Sequence, residues 1–482
     1  MGMCYLFFLL RAEHSVSRGR CGRNKSDNFS KKFLPLQKLI PDRMKRLLIL
    51  LAALLAVGSL SANRHITLQY GSPQSVGMDS LYLASTIDSI MQSAITRHAF
   101  PGAQILIARH GKIVHHKSYG HHTYREYRPV ENDHIFDLAS CSKIMGATLA
   151  LMRLVEEGKI DLDDPISKYF PPFVGSNKEA VTFREALTHN GGLRAINIRR
   201  LLLDKEGNLR PGYFSCSPSE SFPYEVCKGL WSCRGMRDTL FQAAARTPLG
   251  SKKLHYSCMS FLTYPYIVEQ LTGKDFENYL QEEFYKPLTA DRIMMTPAHR
   301  YPKEKIVPTE IDTIFRNTLV HGFVHDEKAA FMGGWSGNAG IFANTESVAK
   351  VLQMLLNEGV YGEQRYFKRK TIKEWTSRQY TDGDNHRGLG FDRRRLHDTL
   401  PFGLRSGGIF YAPSASERSY GHSGYTGNMF WVDPEEELII VFLSNRVHPN
   451  RRASDEYFDY NPRARCHEAA YEAIRRYKKR GQ

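Results

Sequence analysis

Ser140-Cys141-Ser142-Lys143 sets a hydroxyl and an ammonium three residues apart. On a helix that spacing puts both side chains on one face, with Lys143 one turn below Ser140. An ammonium beside a hydroxyl lowers its pKa, and a desolvated Lys can turn neutral and take the proton itself. A helix N-terminus at this point would favour the alkoxide and the oxyanion that follows its attack on a carbonyl. The pattern is weak alone, since an N-cap Ser followed by an exposed Lys reads the same way. Two other segments strengthen it. Tyr256-Ser257-Cys258 stands at the entry to a helical stretch, where a phenol near Lys143 could pass the Ser140 proton to a leaving group. Tyr420-Gly421-His422-Ser423-Gly424-Tyr425 reads as a strand whose glycines let a substrate backbone come close. The plain alternatives are a core aromatic with a satisfied hydroxyl and an ordinary sheet edge.

The elements that must position these residues follow from periodicity. Asp79-Ser80 can cap a helix with Leu83, Ile87, Ile90, Ala94 and Ile95 at helical spacing. Gln104 to Arg109 and Lys112 to Tyr119 read as strands joined by a tight hairpin at His110-Gly111. A helix is predicted from about Ser140 to Glu157, closed by Gly158. The middle, 160–330, is loop-rich with helices at 182–188, 235–245, 258–272 and 274–284. Gly333 to Gly340 is glycine-rich, and Ser347 to Asn357 is an amphipathic helix. Strands then recur at Ser419 to His422, Met429 to Val432 and Leu438 to Leu443, before a helix from Pro462 to Tyr477. The expected fold class is α/β (α+β): an antiparallel sheet built from both chain ends and flanked by helices, plus a mainly helical second lobe. The sheet lobe takes about 70–155 and 330–482, the helical lobe about 156–329. Sites often lie in the crevice between such lobes.

The order Ser-x-x-Lys, Tyr-x-x, His-x-Gly resembles the serine β-lactamase and penicillin-binding-protein superfamily. It is most similar to class C β-lactamases and their relatives, the D-alanyl-D-alanine peptidases and family VIII carboxylesterases. Phe136-Asp137-Leu138-Ala139, Lys159 to Ile166, Leu187-Thr188-His189-Asn190-Gly191-Gly192-Leu193 and Gly333 to Phe342 look like that family too. The likeness runs over roughly 70–480. Arg194 to Leu254 resembles an insert in Bacteroidetes serine hydrolases often fused to β-N-acetylglucosaminidase domains, although no such domain is present. The resemblance implies that Ser140 is the acylated nucleophile and that Lys143 and Tyr256 handle its proton. It implies an oxyanion hole from the backbone N–H groups of Ser140 and Tyr425, and substrate contacts from His422, Ser423, Gly424 and Cys258. No cofactor or metal is implied.

Two positions depart from the family pattern. His422 stands where β-lactamases usually carry Lys; a His is only partly charged near neutral pH, which weakens the case for β-lactam hydrolysis. Cys258 replaces an Asn or Asp, and a thiol is a weak donor and acceptor. Asn338 stands where many relatives have His. The expectation is an exported serine hydrolase forming an acyl-enzyme on an amide or ester, either a peptidoglycan-type peptide or a small ester. The alternatives are a catalytically silent binding or scaffold protein on the same fold, and a β-lactamase.

Composition agrees with a globular enzyme. The 482 residues are 42% hydrophobic and 24% charged, which excludes wholesale disorder and collagen-like structure. Residues 1–62 carry +8 of the +16 net charge. A basic tail (Arg475, Arg476, Lys478, Lys479, Arg480) reads as a solvated helix end, and no basic stripe interleaved with aromatics points to nucleic acid. Met44-Lys45-Arg46, the apolar run Leu47 to Val57 and Gly58-Ser59-Leu60-Ser61-Ala62 form a secretory signal pattern over 44–62, too short for a stable membrane span. An uncleaved anchor is the competing reading. Residues 1–43 then form a doubtful leader, translation starting at Met44, and the hydrolase domain is 63–482. Periplasmic or secreted localisation follows, with a small-molecule or peptidoglycan-derived substrate as partner. Cys216, Cys227 and Cys233 are close enough in sequence for one local disulfide. His110, His115, His116, His121 and His122 read as surface histidines, with His115 and His116 on opposite strand faces. Thr188-His189-Asn190 reads as a loop shaping the cleft floor, and Asp163-Asp164-Pro165 as a turn cap.

Overall fold

The computed structural model describes residues 66–381, 383–395, 409–452 and 455–481. The leader, the signal segment, Cys4 and Cys21 lie outside them. The organising element is a seven-stranded sheet in the order β1-β3-β2-β7-β6-β5-β4. Its strands are β1 (Gln69–Tyr70), β2 (Gly102–Arg109), β3 (Lys112–Gly120), β4 (Asp392–Arg393), β5 (Tyr420–Ser423), β6 (Met429–Asp433) and β7 (Leu438–Ser444). All neighbours are antiparallel except β1 beside β3. The central pair joins the two ends of the chain: Leu438 faces Arg109, Ile440 faces Ile107 and Ser444 faces Ala103.

Alternation of side chains decides the two cores. Ile105, Ile107, Trp431, Ile440 and Phe442 pack against the helices α1 (Ser80–Thr96) and α4 (Pro462–Arg480). Leu106, Phe430, Ile439 and Val441 face the other way, onto α3 (Thr345–Leu356) and the helix carrying Ser140. Asp79 caps α1, its Oδ1 accepting from Tyr82 N at 3.2 Å. The β2–β3 hairpin turns at His110 and Gly111, both at positive φ (48° and 72°), the geometry that matches strand twist. No helix among the described residues is long and apolar enough to cross a membrane.

Three expectations need correction. The segment after Ser140 is not a uniform α-helix. It starts as a 3-10 turn (Ala139–Cys141), continues as a π turn (Lys143–Thr148) and becomes the α-helix α2 only at Leu149–Glu156. Single π turns cluster at functional positions. Second, Cys216, Cys227 and Cys233 are all free thiols. They belong to a small sheet in which Leu230–Ser232 lies between Phe214–Ser215 and Tyr224–Cys227, so the middle strand separates Cys216 from Cys227. Third, His122 is buried, its Nε2 2.9 Å from His134 Nδ1, because the chain beyond β3 tucks under the following loop.

Candidate active site

Ser140 is presented by a strained corner. Phe136–Asp137 pairs with Ile341–Ala343, and the chain then turns through Ala139, a non-glycine residue at φ 47°. The buried Asp137 carboxylate holds the corner by accepting from Ala139 N at 2.8 Å and from His325 N at 2.6 Å. Burial raises its pKa, against the pull of these two N–H groups. The Asp137 carbonyl accepts from Thr426 Oγ1 (2.8 Å) and Asn428 Nδ2 (2.7 Å), which ties the β5–β6 turn to the corner. Gly424 sits in that turn. A Cβ there would lie 2.5 Å from the Leu138 carbonyl oxygen. Gly424→Ala must therefore push the turn off Ser140. It is expected to cost about 1–3 kcal/mol and to slow labelling of Ser140 by an organophosphorus probe, both measurable on one sample by thermal unfolding and intact mass.

One turn below Ser140, Lys143 is fully buried. Its Nζ lies 2.9 Å from Ser140 Oγ, 3.2 Å from Cys258 Sγ and 3.4 Å from the Asn338 carbonyl oxygen. Burial works against the ammonium, but attraction to Cys258 and then Tyr256 more than offsets it, and the Lys143 pKa is raised. The Tyr256 ring is 44% exposed to the cleft. Its hydroxyl end reaches Ser140 and Lys143; desolvation raises its pKa and the Lys143 charge opposes the rise, so the phenol stays protonated near neutrality. The ammonium lies 5.2 Å from the Tyr256 ring centroid.

His422 is buried on β5 with its ring centroid 6.1 Å from that of Tyr256. Its Nδ1 is 2.7 Å from the Ser423 carbonyl oxygen, which can only accept, so Nδ1 carries the proton. Nε2 is then an acceptor, without a hydrogen-bond partner among the described residues. Burial pushes the His422 pKa down to about 4; Asp392 opposes this and Arg387 and Lys143 add to it. The imidazole is neutral at pH 7. Tyr425 is half-exposed, between Arg446 (4.6 Å from the ring centroid) and the His325 ring (5.7 Å). Its backbone N–H has no hydrogen-bond partner among the described residues. A cavity of about 490 Å³ continues past Tyr425, walled by Ile196, Ile198 and Phe315, with Arg199 and Arg452 in its lining.

The structure thus gathers Ser140, Lys143, Tyr256, Cys258 and His422 around one ammonium, with Ser423, Gly424 and Tyr425 in the strand and turn beside it. Three more participants join them; the sequence named His189 only as part of a cleft-floor loop and Asn338 only as a departure from relatives, and did not name Arg387. His189 is buried beneath Tyr256 at 4.5 Å between ring centroids, and its Nδ1 accepts from Ser257 N at 3.4 Å. Its pKa is held well below the usual value by burial, then by Arg387 and Lys143, so it braces the Tyr256 loop as a neutral ring. Asn338 contributes a backbone carbonyl, which no residue type announces. Buried Arg387 lies 5.8 Å from the Tyr256 ring centroid and ion-pairs with Asp392. The Gly-rich run Gly388-Leu389-Gly390 between them was the available hint. Asp163 and Asp164 pair with Arg184 and Lys168 as a turn lock. Glu131, Asp133 and His134 are close enough to share a metal ion. Asp133 is already paired with Lys305, and His134 Nδ1 accepts from Glu131 N.

Residues 83–461 match the family model described as Beta-lactamase. A protein of Escherichia coli (strain K12) named "Putative D-alanyl-D-alanine carboxypeptidase" is 30% identical over 430 residues, covering 84% of this chain and 92% of its own. A Salmonella typhi protein of the same name is 30% identical over 427 residues, covering 83% and 91%. Among solved structures, D-amino acid amidase from Ochrobactrum anthropi SV3 superposes with a TM-score of 0.58 at 15% identity, over 82% of this chain and 99% of its own. EstCE1, a hydrolase with promiscuous acyltransferase activity, gives 0.57 at 18%, over 80% and 99%. A penicillin-binding protein homologue from Caulobacter crescentus gives 0.55 at 17%, over 81% and 97%. At these identities the structural likeness shows the shared α+β fold.

Proposed function

We propose, from the premise that the chain belongs to the β-lactamase family, that it is an exported serine hydrolase working through an acyl-enzyme at Ser140. The observation that carries this reading is the 2.9 Å contact between Ser140 Oγ and the fully buried Lys143 Nζ, with the Tyr256 hydroxyl reaching both. Ser140 Oγ attacks an amide or ester carbonyl. The backbone N–H groups of Ser140 and Tyr425 receive the oxyanion, and Tyr256 passes a proton to the leaving group. Water then releases the acyl group. Residues 63–482 form the hydrolase domain, behind a signal segment at 44–62.

The substrate class follows from His422. A neutral imidazole whose proton is spent on Ser423 offers no fixed cation to a substrate carboxylate. That argues against β-lactams as the main substrates, and equally against peptides held at His422 by a terminal carboxylate; it favours a cell-envelope amide bound through other groups, or a small ester. The cavity beyond Tyr425 leaves room for a peptide-sized group on one side of the scissile bond. Cys258, Ser423 and Gly424 would line the substrate's path.

The test is intact-mass spectrometry of the protein from Asn63 onward, after a fluorophosphonate and separately after a penicillin, with Ser140→Ala as control. One phosphonyl adduct, lost in Ser140→Ala, and little or no penicilloyl adduct are expected. No adduct from either reagent on folded protein would favour a silent binding protein instead. Rapid penicilloylation and turnover would restore the β-lactamase reading.

A further inference from the structure

Lys143 Nζ meets Ser140 Oγ (2.9 Å), Cys258 Sγ (3.2 Å), the Asn338 carbonyl oxygen (3.4 Å) and the Tyr256 hydroxyl. An ammonium has three N–H bonds and no lone pair. In this state Lys143 cannot take the Ser140 proton; it must first give one up. Of these neighbours, a carbonyl oxygen is not a base in this range, Ser140 Oγ is the nucleophile itself, and the Tyr256 phenol already holds its proton. The sulfur is the neighbour left to receive one. We propose that Cys258 is the proton store of Lys143: its thiolate takes one ammonium proton when substrate enters, and the amine so formed is the base that activates Ser140.

This rests on the hydrolase reading above and deepens it. The steps balance. An N–H bond of Lys143 breaks as the Cys258 S–H bond forms. The freed amine lone pair then takes the Ser140 proton while Oγ bonds to the carbonyl carbon and the π pair moves onto the oxyanion. Collapse expels the leaving group, which receives a proton from Lys143 through Tyr256. Water attack returns a proton to the amine, departure of Ser140 Oγ removes one, and the thiol finally gives its proton back to Lys143. The side chain acts through Lys143, as a positioning residue, and never bonds to substrate. An amide at 258 could hydrogen-bond Lys143 but could not hold the proton.

The neighbours permit an ammonium–thiolate pair. On the helix 327–331, Lys328 lies within electrostatic reach of Cys258, and its own partner, Asp326, is 3.2 Å away. Tyr256, on the same loop, is a protonated phenol. His189 and His422 are neutral rings, and Arg387 is paired with Asp392. Two ammonium groups thus flank the sulfur, against one carboxylate that is already engaged.

Two measurements decide it. The first needs no substrate: the pH profile of Cys258 alkylation by iodoacetamide, read by peptide mass, in the parent and in Lys143→Met. The profile is expected to move up by about one pH unit or more when the ammonium is removed. An identical profile overturns the proposal. The second is kcat/KM against pH for a small ester, in the parent, Cys258→Ser and Cys258→Asn. Both variants are expected to move the acid limb up by about one pH unit, whatever change in KM the altered cleft wall brings. A limb that stays in place while kcat falls assigns Cys258 a packing role only, and overturns the proposal. If no ester acylates Ser140, the hydrolase reading fails, and the alkylation profile still decides whether the Lys143–Cys258 pair exists.

Discussion

Lys143→Met is expected to slow acylation of Ser140 by about 10³- to 10⁴-fold, the upper range for loss of a positioned acid–base group. Met is close to Lys in length and fills the same buried space, so the change removes the nitrogen and little else. Ser140 Oγ then loses its 2.9 Å contact with Nζ, and the oxyanion side of the cleft stays as it was. The ammonium also opposes the desolvation that raises the Tyr256 pKa. Removing it strands both proton carriers at once, so a Tyr256→Phe change on top should add little. The measurement is the second-order rate of phosphonate labelling, with far-ultraviolet circular dichroism as the folding control. A loss under about tenfold would show that another group takes the proton, and that Lys143 serves only as a local charge.

Acidification is expected to unfold the protein well above the range where carboxylates titrate. Buried imidazoles are responsible; His189 is one, and three others are His122, with a pKa near 3, His422, near 4, and His467, near 3, each lowered chiefly by burial. In the unfolded chain each would bind a proton near pH 6.5. Between the two values the unfolded state holds more protons, so stability falls as pH drops. At pH 5 each site costs about 2 kcal/mol relative to pH 7, roughly 6 kcal/mol for the three, against a typical total of about 5–15 kcal/mol. Local bonding gives the same sign. His467 Nδ1 accepts from Ala412 N at 2.9 Å, and protonation there abolishes that bond. The expected result is a thermal midpoint that falls steeply from pH 6.5 to 5. His467→Gln, which removes one such site, should flatten the slope. A midpoint that holds steady down to pH 4.5 would mean that these rings take up protons without unfolding.

The parts of the site that were legible in the sequence are those fixed by local geometry. Ser140 and Lys143 are three apart on a helical segment, and no long-range packing is needed to bring them together. The glycine pattern around His422 and the Pro462 helix were legible for the same reason. Residues that enter from a distance were legible only through resemblance: nothing within 250–260 says that Tyr256 and Cys258 will meet Lys143. The π turn at Lys143–Thr148 was hidden, because its residues are ordinary helix formers and the turn is imposed by packing. His122 was misread because a histidine-rich strand end looks solvated until the loop that covers it is known. The thiols at 216, 227 and 233 are close in sequence, but a strand order is not a sequence distance.

The pairing of β2 with β7 has a consequence for the life of the chain. The ribosome makes β2 early, but the strand that lies beside it spans residues 438–444, and the turn that braces the Ser140 corner spans 423–428. For most of synthesis Ser140 therefore sits in a polypeptide whose sheet cannot close. Long-range pairing of this kind folds slowly. The corner that presents Ser140 therefore takes its braced form only after the last sixth of the chain has been made.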